Sequence, residues 1–274
     1  MASTPVNRIS RFFLCFLVTV TAAWGEQPSA AHARVELLSR QNTAIQGADL
    51  QLGVHFVLEP GWHIYWINPG DSGQPPVLKW QLPPGFSAGE IEWPRPERMQ
   101  STPQLADYGY HGDVLLPVNI HVPSTAAAGT PVQIAADAKW LVCREVCIPE
   151  HAPLHLELPV AQTAKDNPQS AALFARTQKL LPRPMPPGWK ASAKSEKDEF
   201  VLSVQAEKPI AKVEFFPLEP NQIDNPAPQK VLLSATGVKI VLKKSDLLTK
   251  PVQVLRGVLV VPGGTAYRIE APVR

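Results

Sequence analysis

Apolar and polar residues alternate over many short stretches of this 274-residue chain, and turn-forming residues separate those stretches. Alternation with a period of two is typical of strands that bury one face, and turn signals roughly every 8–12 residues are typical of a β-sandwich. The 30 prolines also favour short strands and turns over long helices. In the first part of the chain, the pattern predicts strands at 33–37, 49–58, 62–66, 77–81, 91–93, 113–121, 132–136, 139–142 and 152–159.

A second group of alternating stretches begins after Trp189. Between the two groups, good helix formers over 167–181 predict one helix, which a proline-rich run ends. We therefore expect an all-β chain of two sandwich domains, at 33–160 and 189–274, joined by a helical and stiff proline-rich linker at 161–188. The second group predicts strands at 199–204, 211–216, 231–234, 238–243 and 254–261.

The first residues have the pattern of a signal peptide. Arg8 and Arg11 lie close to an apolar run over 12–23, and the segment contains no acidic residue. That run is too short to span a membrane comfortably, and small residues near Ala23 suit a signal peptidase. We expect residues 1–25 to be removed and the mature protein to be periplasmic; an uncleaved anchor is the alternative.

The charge balance makes nucleic acid an unexpected partner. The formal net charge is +2, and removal of Arg8 and Arg11 would leave a value near zero. No basic block or basic–aromatic interleaving is present, and both are typical of proteins that bind phosphate backbones.

Two cysteines, Cys143 and Cys147, remain once Cys15 is lost with the signal peptide. An oxidising compartment would allow them to form a disulfide. Residues i and i+4 on a strand lie about 13 Å apart, whereas a disulfide needs Cα atoms within roughly 7 Å. If the pair is bonded, the chain must therefore turn at 144–146. So short a loop gains only about 2 kcal/mol from the bond, and the spacing leaves redox exchange and a structural bridge equally open.

Metal binding is a third interpretation of the same thiols. His151 and His155 follow Cys147 at intervals of four residues, and His111 could approach from elsewhere. Two thiolates with imidazoles would suit zinc or copper. Because Cys-x3-Cys is a weaker metal signature than paired Cys-x2-Cys, we expect no bound metal and no other cofactor.

Residues 107–113 are predicted to be a glycine-punctuated loop that contains Asp107, Tyr108, Tyr110 and His111. Two interpretations are open for it. It is either an ordinary turn whose tyrosines fold onto the core, or a flexible flap whose aromatic ring covers a reactive sulfur.

Four segments of the chain carry distinctive motifs: 61–76 (GWHIYWINPGDSGQPP), 91–97 (IEWPRPE), 108–117 (YGYHGDVLLP) and 140–149 (WLVC…CIP). They resemble the N-terminal periplasmic domain of DsbD-type thiol:disulfide reductases. Within this family, the chain resembles most the ScsB branch, the copper-sensitivity-suppressor reductases. The resemblance covers nearly all of the mature chain. Two C-terminal segments, 215–229 and 255–260, resemble the second β domain that the exported region of the ScsB branch carries.

The resemblance implies immunoglobulin-like sandwiches and a redox-active, catalytic pair, Cys143 and Cys147. It also implies that Tyr108, Tyr110 and His111 belong to a cap that shields this pair, and that Asp107 tunes the thiols. In the family, the domain accepts electrons from a membrane-embedded domain and passes them to thioredoxin-like partners in the periplasm.

The chain departs from the family pattern because it has neither the membrane domain nor the thioredoxin-like domain. We therefore expect a soluble component of a protein-disulfide reductase, which a separately encoded membrane thiol transporter reloads. Two alternatives are a non-catalytic interaction module with a permanent disulfide and a periplasmic protein that binds copper or zinc.

Overall fold

The computed structural model of the protein describes residue 1 and residues 32–274. Cys15 and, apart from residue 1, the predicted signal peptide lie outside the described residues. No helix in the described part of the chain is long and apolar enough to cross a membrane. The described elements are β1 (Ala33–Ser39), β2 (Ala44–Ile45), β3 (Asp49–Leu58), β4 (His63–Gly70), β5 (Val77–Gln81), β6 (Ser87–Ile91), β7 (Glu97–Thr102), β8 (Leu105–His111), β9 (Asp113–His121), β10 (Pro131–Cys143), β11 (Cys147–Ala161), α1 (Ala171–Leu180), β12 (Lys190–Ser195), β13 (Glu199–Gln205), β14 (Glu214–Pro217), β15 (Lys230–Ser234), β16 (Gly237–Lys243), β17 (Val254–Val260) and β18 (Ala266–Pro272).

The first sandwich contains two sheets, with strand orders β1-β3-β9-β6 and β2-β11-β10-β4-β8-β7. Strand β5 also pairs with β10, over Ala135–Lys139. Strand β4 pairs with β10 only where β10 ends, through His63 and Cys143. Alternate residues of these strands bury apolar side chains in one shared core. The fold class is therefore all-β and immunoglobulin-like, as predicted.

A second, smaller sandwich follows, with sheets β12-β13-β16-β15 and β14-β17-β18. It has its own core, in which Phe200, Leu202 and Phe215 are almost fully buried. The predicted strands at 199–204 and 238–243 correspond closely to β13 and β16, whereas β12 and β18 were not predicted.

The two sandwiches pack directly against each other. The ring of Phe216 in β14 lies edge-on to Trp66 in β4 and to Tyr108 in β8, at centroid distances of 6.4 and 5.3 Å. Phe216, Val258 and Ala266 belong to the same core cluster as the first sandwich. Residues 32–274 accordingly lie in one compact unit.

Helix α1 lies within the predicted range 167–181 and packs on the first sandwich. It buries Phe174 and Thr177, and the Ser170 hydroxyl just before it donates to the backbone oxygen of Ser39 at 2.6 Å. The proline-rich run after it is held to the second sandwich, because the Arg183 N–H donates to the Ala266 oxygen at 2.9 Å. The linker thus contacts both sandwiches.

The prediction of a loop over 107–113 was wrong for most of its length, because Leu105–His111 is strand β8 between β4 and β7. Gly109 suggested a loop, but a glycine is required at this position for a different reason. A Cβ atom at Gly109 would lie 2.0 Å from the backbone oxygen of Ile64. Close approach of two strands therefore requires this glycine, and the turn itself is confined to Gly112, whose φ is +67°.

The junction of the sandwiches generates a stability prediction. Replacement of Phe216, which is 1% exposed, by alanine would leave a cavity between the two cores and should lower the free energy of unfolding by about 3–5 kcal/mol. Urea denaturation measures this change. The control variant Leu233→Ala alters a side chain that is 61% exposed and should change the free energy by less than about 0.5 kcal/mol. Equal effects of the two variants would contradict a shared core.

Candidate active site

The two cysteines lie at the tip of the longest hairpin in the described chain. Strands β10 and β11 pair in register from Pro131↔Pro159 to Cys143↔Cys147. Cys143 and Cys147 form a disulfide with their Cα atoms 4.1 Å apart. Residues 144–146 turn the chain between them, as the spacing predicted.

The two halves of the disulfide differ in exposure. Cys143 is 2% exposed, whereas Cys147 and the three residues of the turn are exposed. A thiolate from another protein can therefore reach the bond through Cys147, while Cys143 is enclosed by the sheet.

The disulfide lies on the outer face of its sheet. Side chains alternate between the two faces of a strand, and Val142 beside Cys143 points into the sandwich core. On β4, Ile64 and Trp66 point into the same core, which leaves His63 and Tyr65 on the face of the disulfide.

A row of four residues crosses this face. Cys147 is paired with Cys143, Cys143 with His63, and His63 with His111. The His63 and His111 rings lie 5.6 Å apart, edge to face. Burial, and secondly the neighbouring His111, lower the pKa of His63 to about 4. A neutral imidazole therefore lies beside the disulfide at pH 7.

A chain of polar contacts runs from the exposed cysteine to a buried carboxylate. The Tyr65 hydroxyl lies 3.4 Å from Sγ of Cys147 and 3.5 Å from Oγ of Ser72. Both the hydroxyl and the backbone N–H of Ser72 donate to Asp107, each at 2.9 Å. Burial is the main cause that raises the pKa of Tyr65 and of Asp107. Tyr65 therefore keeps its proton at neutral pH and can donate it in a hydrogen bond.

The segment after β4 covers Tyr65, which is only 1% exposed. Gly73 has a φ of +73°, and a Cβ atom there would lie 2.1 Å from the Tyr65 ring. The ring and Gly73 are thus in direct contact, and only glycine fits at this point of closest approach.

The residues predicted for the cap divide between the two faces of β8. Asp107 and His111 lie on the face of the disulfide, whereas Tyr108 and Tyr110 belong to the core cluster. The Tyr108 hydroxyl donates to Oδ1 of Asn225 at 2.9 Å, and the Tyr110 hydroxyl donates to the Pro94 oxygen at 2.8 Å. The two tyrosine rings therefore fold onto the core and do not cover the disulfide in this structure, and the segment that was interpreted as a turn or a flap is a strand.

Trp62 anchors the tip of the hairpin. The Arg144 guanidinium lies 5.1 Å from the centre of the Trp62 ring, and the His32 ring stacks on Trp62 at 3.7 Å. A cation over an indole face is a favourable contact, so it limits the motion of the turn that carries the cysteines.

Two of the histidines considered as metal ligands, His151 and His155, lie away from the thiols along the hairpin. His151 pairs with Lys139 and His155 pairs with Ala135 on the β10–β11 hairpin. These histidines follow Cys147 by four and eight residues, which places them about 13 and 26 Å away along the strand. Among residues 32–274, no three His, Cys, Asp or Glu side chains are grouped to hold a metal ion.

Sequence reasoning missed His63, Tyr65 and Ser72 as site residues, because it treats the aromatic run 62–66 only as a strand and 61–76 only as a family motif. The alternation of the aromatic run did contain a signal. Trp62, Ile64 and Trp66 face the core, and the residues between them necessarily face the other side.

Comparison with known proteins identifies the first domain. Residues 34–159 match the family model described as thiol:disulfide interchange protein DsbD, N-terminal. The chain is also similar to the crystal structure of the N-terminal periplasmic domain of ScsB from Proteus mirabilis, at 16% identity and a TM-score of 0.67. That match covers 92% of this chain and 97% of the other, and it shows that the two chains share an all-β, immunoglobulin-like fold.

Other similarities are weaker. A protein of unknown function from Porphyromonas gingivalis W83 matches at 10% identity and a TM-score of 0.27, over 89% of this chain and 100% of the other. The major pilin subunit BcpA* of Bacillus cereus matches at 9% identity and a TM-score of 0.28, over 88% and 67% of the two chains. None of the curated proteins matches this chain.

The buried imidazole makes stability depend on pH. An unfolded histidine takes up its proton near pH 6.5, whereas folded His63 does so only near pH 4. The unfolded chain therefore binds more protons between these values, and the free energy of unfolding falls as the pH drops through this window. From pH 7 to pH 4, His63 should contribute a loss of about 2–3 kcal/mol.

Urea denaturation of His63→Asn at both pH values tests this expectation. The variant should lose less stability on acidification than the wild type, by that amount. The control His155→Asn alters an exposed side chain of the β10–β11 hairpin and should keep the wild-type pH dependence. A wild-type loss in His63→Asn would contradict a neutral, buried His63.

Proposed function

Because residues 34–159 form an N-terminal domain of the DsbD thiol:disulfide interchange family, we propose that this chain carries electrons between thiol proteins of the periplasm. A separately encoded membrane thiol transporter reduces the Cys143–Cys147 disulfide, and the reduced pair then reduces thioredoxin-like partners. The similarity to a periplasmic domain of ScsB supports this compartment and this branch of the family.

The observation that carries the proposal is the asymmetry of the disulfide. Exchange begins with attack on one accessible sulfur by a thiolate, and the other sulfur leaves. Cys147 is exposed at the hairpin tip, while Cys143 is 2% exposed beneath it. Cys147 is therefore the cysteine that meets the partner, and Cys143 is the one that resolves the intermediate.

The proposed step towards the partner starts from the dithiol. The Cys147 thiolate attacks one sulfur of the partner's disulfide, a mixed disulfide forms, and the partner's second sulfur leaves as a thiolate that takes up a proton. Cys143 then loses its proton and attacks the Cys147 sulfur. The Cys143–Cys147 bond forms again, the partner's first sulfur leaves as a thiolate, and two electrons have passed to the partner.

Tyr65 stabilises the attacking thiolate in this proposal. The Ser72 hydroxyl donates its hydrogen bond to Asp107, so the Tyr65 hydroxyl can donate a hydrogen bond to Ser72 or to Cys147. A disulfide sulfur is a weak acceptor, whereas a thiolate is a strong one. Reduction therefore draws the Tyr65 proton towards Cys147, and a hydrogen bond to a charged group contributes about 1.5–3 kcal/mol.

His63 has a different effect on the thiols. A protonated imidazole beside a cysteine lowers the thiol pKa by charge, but burial keeps His63 neutral at pH 7. Hydrogen bonding from Tyr65 is thus the main local stabilisation of the thiolate. In this proposal His111 keeps the shielding role and Asp107 the tuning role that were predicted for them, and Tyr65 replaces Tyr108 and Tyr110 as the tyrosine beside the disulfide.

The first test uses single cysteine variants with an oxidised thioredoxin-like protein. Cys143→Ser retains the attacking thiol and lacks the resolving one, so it should accumulate a mixed disulfide. Cys147→Ser should accumulate at least about tenfold less, because its remaining thiol is buried. Non-reducing electrophoresis with mass spectrometry measures both species. If neither variant traps a partner, the disulfide is a structural bridge and the relay is wrong.

The second test addresses Tyr65. Tyr65→Phe removes the hydroxyl without changing the ring and should raise the pKa of the Cys147 thiol by about one unit, which slows its alkylation by iodoacetamide about tenfold below that pKa. The pH profile of alkylation in the reduced protein measures the shift. The control Tyr267→Phe, in the second sandwich, should keep the wild-type profile, and an unchanged profile in Tyr65→Phe would contradict its role.

A further inference from the structure

One residue of the second sandwich reaches the polar network of the disulfide site. Asn225 lies between β14 and β15 and is 6% exposed. Its Nδ2 donates to Oδ1 of Asp71 at 2.8 Å, and its Oδ1 accepts from the Tyr108 hydroxyl at 2.9 Å. The backbone oxygen of Asn225 accepts from Arg98 Nη2 at 2.6 Å and from Arg98 Nε at 3.0 Å.

The two partners of this amide flank the Ser72–Asp107 pair. Asp71 directly precedes Ser72, and Tyr108 directly follows Asp107. Asp71 is held from the other side as well, because its Oδ2 accepts from the Ala106 N–H at 2.8 Å. The Asn225 amide therefore connects the segment after β4 to strand β8 at the point where Ser72 bonds to Asp107.

The connected segment is the one that covers Tyr65. Ser72 lies 3.5 Å from the Tyr65 hydroxyl, and Gly73 contacts its ring. A displacement of residues 71–73 would therefore release Tyr65 from its position against Cys147. Buried amides that satisfy both of their polar ends hold such segments in one arrangement.

We propose that Asn225 is a positioning residue for thiol exchange: the second sandwich, through this side chain, holds Ser72 and Gly73 so that the Tyr65 hydroxyl meets the Cys147 sulfur. The second sandwich then acts on the chemistry of the first without touching the reacting sulfurs. This inference rests on the proposed function of the cysteine pair and assigns a role to the second domain.

The test measures the pH profile of Cys147 alkylation by iodoacetamide in the reduced, full chain. Asn225→Ala should slow alkylation below the thiol pKa about threefold to tenfold, in the same direction as Tyr65→Phe. The double variant should differ from Tyr65→Phe by less than about twofold, because coupled residues are not additive. Tyr108→Phe, which removes the other contact of the same amide, should shift the profile in the same direction and serves if Asn225→Ala does not fold.

The matched control is Gln229→Ala. Gln229 also makes two amide hydrogen bonds, to the backbone N–H and oxygen of Phe215 at 2.9 and 2.7 Å, but both remain within the second sandwich. It should lower stability and leave the alkylation profile unchanged. The inference is overturned if Asn225→Ala keeps the wild-type profile, or if its effect multiplies fully with that of Tyr65→Phe.

Failure of this inference is distinguishable from failure of the relay. Iodoacetamide reports on the thiol without any partner protein, so the profile can be measured even if Cys143→Ser traps no partner. Conversely, a trapped partner together with an unshifted Asn225→Ala profile would retain the relay and remove the role of Asn225.

Discussion

The register of the β10–β11 hairpin is the constraint on which the site depends. The ladder runs without a break from Pro131↔Pro159 to Cys143↔Cys147, so the pairing that buries the core also brings the cysteines opposite each other. A slip by one residue would turn every side chain of a strand to the other face. Trp140 and Val142 would then leave the core as the cysteines separated, and packing of the apolar face therefore maintains the disulfide geometry.

The two faces of the sheet that contains β10 and β11 consequently differ in function. The inner face carries Trp66, Tyr108 and Tyr110 and contributes to stability. The outer face carries the disulfide with His63 and Tyr65, groups that would be costly in the core unless their polar atoms were hydrogen-bonded. Because neighbouring residues of a strand alternate between these faces, the strands that build the core also position the chemical groups.

The second sandwich is part of this arrangement and not a separate appendage. Phe216 completes the core of the first sandwich, and Asn225 bonds to the segment that covers Tyr65 through Asp71. Apolar contact contributes most of the stability of such a junction, whereas directional hydrogen bonds determine its geometry. A change in the geometry of the junction would therefore alter the surroundings of the thiols while the fold remains intact.

The sequence alone determined the all-β class, the helix near 171–180 and the turn between Cys143 and Cys147, because these follow from local periodicity and short-range geometry. The resemblance to DsbD-type domains was also apparent from the sequence motifs. Other features depended on contacts between distant residues. Gly109 indicated a loop in the sequence, but it lies on a strand, where the backbone of Ile64 leaves no room for a Cβ atom. Likewise, the aromatic run gave no sign that Tyr65 meets Cys147, 82 positions away, nor that Asn225 bonds to Asp71. Only tertiary structure decided these, because the pairing of strands determines which side chains far apart in the chain share a face.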